Sequence, residues 1–479
     1  MAVLALLLGV VALGRSIQRV LGCHSESPAL VWASAIALGF TGTMLINYVV
    51  LLVAGRVYFQ PAAVVLAGAM AWEVGRALGR RLRVPSFLTG VVVLLGLSLL
   101  WIGQLAPFYG YDGKAIFGFK AKVLLHERTL QSPAFQDVDV IHYHPEYPLG
   151  VPLLIAMSAW AQEGHPDDPA GTVPATSVRE WVARYDAVDA YLPLGVLWMV
   201  GVVLLIAHWA RTQTRNGLLV SLLVFAALPP MVLLPWLAKS SWSLEGADLG
   251  LALCLGTALT VWVERDRGAR GGWTLCAAMA LGGAFLVKNE ALIGLAAFAV
   301  AVLCSSGLRS VWKPLVELVA VGAVFASIAQ LARSQYPVSP YEEHYLAALF
   351  AMDLEALVGR AAMFLPAVRD ALDSSEMLAF WAFALMVAVP WALFHPGRER
   401  TLGLWVLTYV VMTSAAFAIT PDRLDWQIDR ALPRIWCHAV VGAGALVILL
   451  CAEAWRDLWP FRWPLATESA DGDSPPPGA

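Results

Sequence analysis

The side chains that could do chemistry in this sequence fall in four short polar stretches. The first runs from Tyr109 to His126 (YGYDGKAIFGFKAKVLLH). A short helix is predicted from about Lys114, with Asp112 at or near its N-terminus. A carboxylate there can cap the helix by accepting from its first backbone N–H groups, and capping leaves it able to take part in catalysis. Ile116, Phe119 and Val123 recur at spacings of three and four. One face of the helix is therefore apolar and is expected to lie on a membrane interface. Lys120 and Lys122 point about 200° apart on such a helix, so only one of them should reach a common site.

The second stretch is His142-Tyr-His-Pro-Glu-Tyr-Pro148, leading into an apolar run, Leu149–Trp160, too short to span a membrane and expected to be re-entrant or interfacial. In extended chain His142 and His144 project to one side, as two ligands of one metal would. No third ligand stands at a fixed spacing, so structural hydrogen bonding, substrate contact and metal binding all stay open for this pair. The third stretch, Lys288-Asn289-Glu290, lies between two short apolar blocks. Such a turn sits near the membrane interface, where each charge is costly unless paired or used. Lys288 and Glu290 either neutralise one another or serve a site. The fourth, Thr420 to Arg434 (TPDRLDWQIDRALPR), reads as a solvated loop with a helix start or as a functional surface. Trp242, Glu245 and Asp248 form a smaller polar set, and Tyr341 to Tyr345 (YEEHY) another. No phosphate loop GxxxxGKS/T, zinc motif HExxH or nucleophile elbow GxSxG occurs.

The elements that must position these stretches are long and apolar. Of 479 residues, 59% are hydrophobic and 14% charged, whereas soluble domains carry about 25% charged residues. Crossing about 30 Å of hydrocarbon at 1.5 Å per residue takes roughly 20 apolar residues. Blocks that fit are Pro28–Ala54, Val57–Leu78, Ser86–Ala106, Ala187–Ala207, Leu218–Trp236, Ala247–Val263, Trp273–Val287, Ala291–Ser305, Pro314–Leu331, Met377–Phe394, Leu402–Ile419 and Ile435–Ala454, with Met1–Gly14 shorter. The expected fold is thus all-α and polytopic, with about 11 to 13 spans. Residues 1–106, 187–332 and 377–457 hold the N-terminal, central and C-terminal spans, while 107–186 and 333–376 form two long connections carrying short interfacial helices. The tail, 458–479, is acidic and rich in Pro and Gly, hence expected to be disordered. The first charge is Arg15, after the apolar start, so a retained membrane segment is expected there instead of a signal peptide. Cys23, Cys254, Cys276, Cys304, Cys437 and Cys451 show no CxxC spacing and read as small buried apolar residues, not as disulfides or a zinc site. Nothing in the composition points to nucleic acid.

Lys and Arg bias sets the orientation. Alternate connections and the tail hold 17 basic residues, from Arg15 and Arg19 to Arg456 and Arg462, whereas the short connections opposite hold six: Arg56, Lys239, Lys288, Arg423, Arg430 and Arg434. The richer side is expected to be cytoplasmic. Both long connections, and all four polar stretches, then face away from the cytoplasm, and long connections are commonly functional.

Asp112-Gly-Lys-Ala-Ile-Phe-Gly-Phe-Lys-Ala-Lys, followed by His144-Pro-Glu-Tyr-Pro and Pro152-Leu-Leu, resembles the first large external loop of bacterial multispanning glycosyltransferases of the GT-C class. These are relatives of the protein O-mannosyltransferases and of the lipid A aminoarabinose transferase. Lys288-Asn-Glu and the stretch Thr420-Pro…Trp426…Arg430 look like later motifs of the same group. The sequence departs from the mannosyltransferase pattern of adjacent acidic residues, because Gly113 follows Asp112. The resemblance implies a GT-C-like architecture in a bacterial inner membrane and an inverting enzyme taking a sugar from a polyprenyl-phosphate or diphosphate carrier on the external face. It implies Asp112 as base for the acceptor hydroxyl, with Lys120, Lys122, Lys288 and Arg430 as cations for the carrier phosphate. His144, Glu146, Tyr147, Asn289, Glu290 and Trp426 are the remaining substrate contacts it suggests, and Glu146, Glu245 and Glu290 are alternatives to Asp112 as the base, each equally able to orient sugar hydroxyls. The partners implied are a lipid-linked sugar and membrane lipid. No cofactor is called for, and a divalent metal has no ligand set to support it. A rival expectation is a transporter or flippase of a lipid-linked or amphiphilic solute. Such a protein should carry ionisable groups near mid-membrane, whereas polarity here collects at one face.

Overall fold

The computed structural model describes residues 2–23, 25, 27–78, 113–136, 147–163, 192–214, 216–227, 247–265, 270–336, 354–373, 378–418 and 424–458. Among them there are helices and connections and no strands. The chain is α1 (Ala2–Val20), α2 (Pro28–Ala54) and α3 (Gln60–Leu78), then a π-helical turn Gly113–Gly118 running into α4 (Phe119–His126), a single turn α5 (Pro133–Gln136) and α6 (Gly150–Glu163). The central part is α7 (Leu192–Gln213), α8 (Gly217–Ala227), α9 (Asp248–Glu264), α10 (Arg270–Val287), α11 (Ala291–Ser306) and α12 (Leu308–Arg333). After α13 (Leu354–Asp373) come α14 (Leu378–Phe383), a π-helical segment Ala384–Ala388 and α15 (Val389–Phe394), then α16 (Arg398–Ala418), α17 (Leu424–Cys437) and α18 (Val440–Leu458).

Among the described residues, six stretches are long and apolar enough to cross a membrane: Ala2–Val20, Pro28–Ala54, Pro193–Gln213, Arg309–Arg333, Arg398–Phe417 and Arg434–Trp455. Gly150–Gln162, Gly272–Val287, Ala291–Ser306 and Ala379–Phe394 are apolar but shorter. The expected block Ser86–Ala106 and residues 228–236 of Leu218–Trp236 lie outside the described residues. Many of the side chains left exposed along α3 and α12 are apolar, among them Val64, Trp72, Val74, Trp312, Val316, Val324 and Leu331. They form the surface a bilayer would cover, since lipid offers apolar contacts and no hydrogen bonds. The chain is therefore an all-α, multi-pass membrane protein.

The inside of the bundle is organised around α2. Ser27 accepts from the Leu30 N–H at its start, Pro28 opens its first turn, and Gly55 closes it at φ +64°. That is the Ser–Pro start and left-handed glycine stop expected of a helix with sharp ends. Ala33, Ala35, Ala37, Leu38 and Thr41 are fully buried. Thr41 and Thr43 donate back to the Ala37 and Gly39 carbonyls, so their hydroxyls need no outside partner. Small residues let α1 close on α2. A Cβ at Gly14 would stand 1.8 Å from the Ala35 carbonyl oxygen, and one at Gly39 would stand 2.0 Å from that of Val10. In lipid, where apolar burial drives little, such close backbone approach is the main source of helix affinity. Across α2 the Phe40 ring packs against Trp198 of α7 at 5.4 Å.

One expectation about the first long connection changes. α4 does not lie on a membrane interface with one face exposed: Ile116, Phe117, Phe119 and every residue from Lys120 to Leu125 are buried, both lysines included. α6, expected to be re-entrant or interfacial, is enclosed by protein, with Val151 to Ala159 buried. It packs against α1, α2, α4 and α10. The apolar run is too short to span, and it earns its burial by filling a gap between longer helices. Cys304 is exposed and Cys451 half-buried, so they too depart from the reading of all six cysteines as buried.

One end of the bundle gathers the basic connections. Arg19 pairs with Glu73, His208 Nδ1 lies 2.8 Å from Ser27 Oγ, and Arg398 sits over the Trp209 ring. α10 starts at this end and finishes at the other, at Lys288.

Candidate functional site

At that other end, five helix termini or turns converge. α9 begins with Asp248, α10 ends at Lys288, α11 starts after Glu290, and α17 and α18 meet around His438. Asp248 is the centre. Its Oδ1 accepts from Lys288 Nζ at 2.7 Å and from His438 Nε2 at 2.8 Å. Its Oδ2 accepts from Arg434, with Nε and Nη2 both at 3.1 Å. Lys288 Nζ lies 3.5 Å from Glu290 Oε1 on its other side. His438 donates through Nε2 to the carboxylate, so Nδ1 is the acceptor for the hydrogen bond that the Tyr409 hydroxyl donates at 2.7 Å. Asp248, Lys288, His438 and Tyr409 are at most 2% exposed. Charges removed from water to this extent persist only when paired and hydrogen-bonded. Burial alone would push the Lys288 ammonium down; Asp248 and then Glu290 outweigh it and hold its pKa above the ordinary lysine value.

A second shelf abuts the first through Tyr147. Its ring lies 5.6 Å from Lys288 Nζ, within cation–π reach, and stacks at 3° on Phe117 of the π-helical turn. The Tyr147 carbonyl accepts from Lys120 Nζ at 3.0 Å. Gly150 makes this approach possible, because a Cβ there would stand 2.2 Å from the Leu286 carbonyl oxygen near the end of α10. The Leu149 N–H donates to the Tyr48 hydroxyl of α2, which fixes the start of α6 from the other side. Lys122 points elsewhere, as a 200° separation requires. It faces His126, whose pKa is lowered to about 4 by burial and by the Lys122 charge.

The structure thus brings Lys120, Tyr147, Lys288 and Glu290 together, with Asn289 in the same turn. Trp426 and Arg430 lie on α17, the helix whose last turn supplies Arg434; their side chains are outside the described residues. Asp112, His142, His144, Glu146 and Glu245 are also outside them, although Gly113, next to Asp112, opens the π-helical turn that carries Phe117. Sequence reading missed His438 and Tyr409 and grouped Asp248 with a loop. Arg434 and His438 stand four apart at the mouth of an apolar run, and Asp248 opens another apolar helix. Charges entering a span were the available signal.

Chemically, Asp248 is not poised to act as a base, because lysine, arginine and histidine already donate to it. It acts as an anchor that holds two cations, Lys288 and Arg434, at one end of the bundle. Among the described residues no three His, Cys, Asp or Glu side chains gather to hold a metal.

Fold and site together define a class: an all-α multi-pass membrane protein with a buried ion cluster at one end of its bundle. Comparison with protein-family models, with curated proteins and with solved structures found no match for the chain.

Proposed function

We propose that this protein is a GT-C-type membrane glycosyltransferase that moves a sugar, with inversion, from a polyprenyl-phosphate or diphosphate carrier to an envelope acceptor on the non-cytoplasmic face of a bacterial inner membrane. The observation that carries the reading is the meeting of three separate sequence motifs at Tyr147, with Lys120 bonded to its carbonyl and Lys288 beneath its ring. A carrier phosphate needs cations near the lipid boundary, and charge-assisted contacts stabilise the departing phosphate as its charge grows. Lys288 and Lys120 serve that role, with Arg430 from α17 completing the set. Asp112, one residue before the π-helical turn, is the base that takes the proton of the acceptor hydroxyl, and phosphate leaves without needing a strong acid.

The test is incubation of the purified protein in lipid with a panel of polyprenyl-phosphate sugars, following donor hydrolysis or transfer with and without a chelator. Asp112→Asn should abolish turnover while leaving the protein folded. Wild-type-like turnover in that variant removes Asp112 as the base, and no turnover of any donor by the wild type removes the enzyme reading. The rival, a transporter of a lipid-linked solute, draws on the Asp248–His438–Tyr409 chain buried among the helices. It requires movement of a labelled solute across vesicles without donor cleavage.

A further inference from the structure

At the opposite end of α10, two cysteines distant in sequence touch. Cys23 follows the turn that ends α1, and its N–H donates to the Gln18 carbonyl at 2.8 Å. Its Sγ lies 2.7 Å from Cys276 Sγ, and its thiol also donates to the Gly272 carbonyl at 3.0 Å. Gly272 is what lets the turn approach the first turns of α10, since a Cβ there would stand 1.8 Å from the Leu21 carbonyl oxygen. The contact is therefore set by backbone packing on both sides and not by two mobile side chains. A covalent bond between the sulfurs needs roughly 0.7 Å of further closure. Cys276 is 1% exposed and Cys23 7%, with half-buried Leu21, Gly22 and Ser25 around it, so a small oxidant meets Cys23 first.

We infer that Cys23 and Cys276 form a redox-sensitive dithiol that closes to a disulfide when a peroxide reaches Cys23. The Cys23 thiolate attacks one peroxide oxygen, the O–O bond breaks, and the departing oxygen takes up a proton and leaves as water. The resulting sulfenic acid is attacked at sulfur by Cys276, whose thiol gives up its proton as the S–S bond forms; the S–O bond breaks, and the departing hydroxide takes that proton and leaves as the second water. In sum two thiols lose two electrons and two protons, and one peroxide becomes two waters. A thiol reductant reverses the step by exchange through a mixed disulfide. The bond ties the α1–α2 connection to the start of the helix whose far end carries Lys288. On the orientation expected from the basic residues this end faces the cytoplasm, where thiols are kept reduced, so the dithiol is the resting state.

The test uses the full chain in lipid nanodiscs, purified with a mild reductant that is then removed. The protein is exposed to dilute hydrogen peroxide and digested without reduction for peptide mapping. The expected result is a peptide pair joined through Cys23 and Cys276, two hydrogens lighter than the separate peptides and released by dithiothreitol. Cys276→Ala should leave Cys23 trapped as a sulfenic acid that reacts with dimedone, and Cys23→Ser should give no cross-link. Absence of the Cys23–Cys276 pair in oxidised wild type, under conditions that oxidise the exposed Cys304, overturns the inference. So does finding the pair already bonded in protein alkylated inside intact cells.

Discussion

Asp248→Asn removes one negative charge and almost no volume from the ion cluster, which makes its consequence calculable. The described members carry two negative charges (Asp248 and Glu290) and two positive charges (Lys288 and Arg434), with His438 neutral: −2 + 2 = 0. The variant carries −1 + 2 = +1, with the Lys288 and Arg434 donors converging on an uncharged amide. The new amide nitrogen is itself a donor, so one side of the substituted residue meets the N–H groups that the carboxylate accepted. Removing one member of a buried ion pair costs about 3–5 kcal/mol, because the remaining charge has lost its partner and cannot regain water. With both Lys288 and Asp248 side chains only 2–3% exposed, little solvent is there to screen the loss. Equilibrium unfolding in mixed micelles, followed by circular dichroism against denaturing detergent, should show a loss of that size. Adding Lys288→Met restores neutrality and should recover part of it, giving a coupling energy within about 0.5–3 kcal/mol in the double-mutant cycle. A single variant within about 0.5 kcal/mol of wild type, the spread of an ordinary surface substitution, would refute the view that Asp248 anchors the cluster; strict additivity in the cycle would refute its coupling to Lys288.

Lys120→Met should separate fold from function: the thioether fills the space of the lysine stem and removes a buried charge, so stability stays within about 2 kcal/mol, while KM for a polyprenyl-phosphate donor rises at least tenfold. A large loss of stability with unchanged KM would make Lys120 structural. Gly14→Val drives a side chain into the Ala35 carbonyl, so α1 and α2 must part and thermal unfolding in detergent should show a loss of about 1–3 kcal/mol or more. The pH dependence follows from His126. Its folded pKa of about 4 lies below the ordinary 6.5, so between those values the unfolded chain binds the extra proton. Its effect on stability is flat above about pH 6.5 and grows more unfavourable as pH falls toward 4, and His126→Gln should remove that part of the pH dependence in a side-by-side melting series.

How much of this was legible beforehand differs between fold and site. Long apolar blocks declare helices because each must satisfy its own backbone hydrogen bonds in lipid. That is why Pro28–Ala54 coincides with α2 and why the all-α, multi-pass character follows from composition. The polar motifs were legible as residue types, and Lys288–Glu290 even as a charged turn between two apolar helices. Their partners were not. Asp248, Arg434 and His438 lie 40, 146 and 150 positions from Lys288 in the chain (288 − 248, 434 − 288, 438 − 288). Only helix packing decides which of these ends coincide. The same holds for Lys120, whose spacing suggested an interface-lying helix, whereas packing buried it against the Tyr147 carbonyl. It holds again for Cys23 and Cys276, where two backbones approach closely at Gly272. Sequence periodicity reports one element at a time; a carboxylate that binds a lysine from one turn and an arginine and a histidine from the end of a distant helix is a property of their arrangement in space.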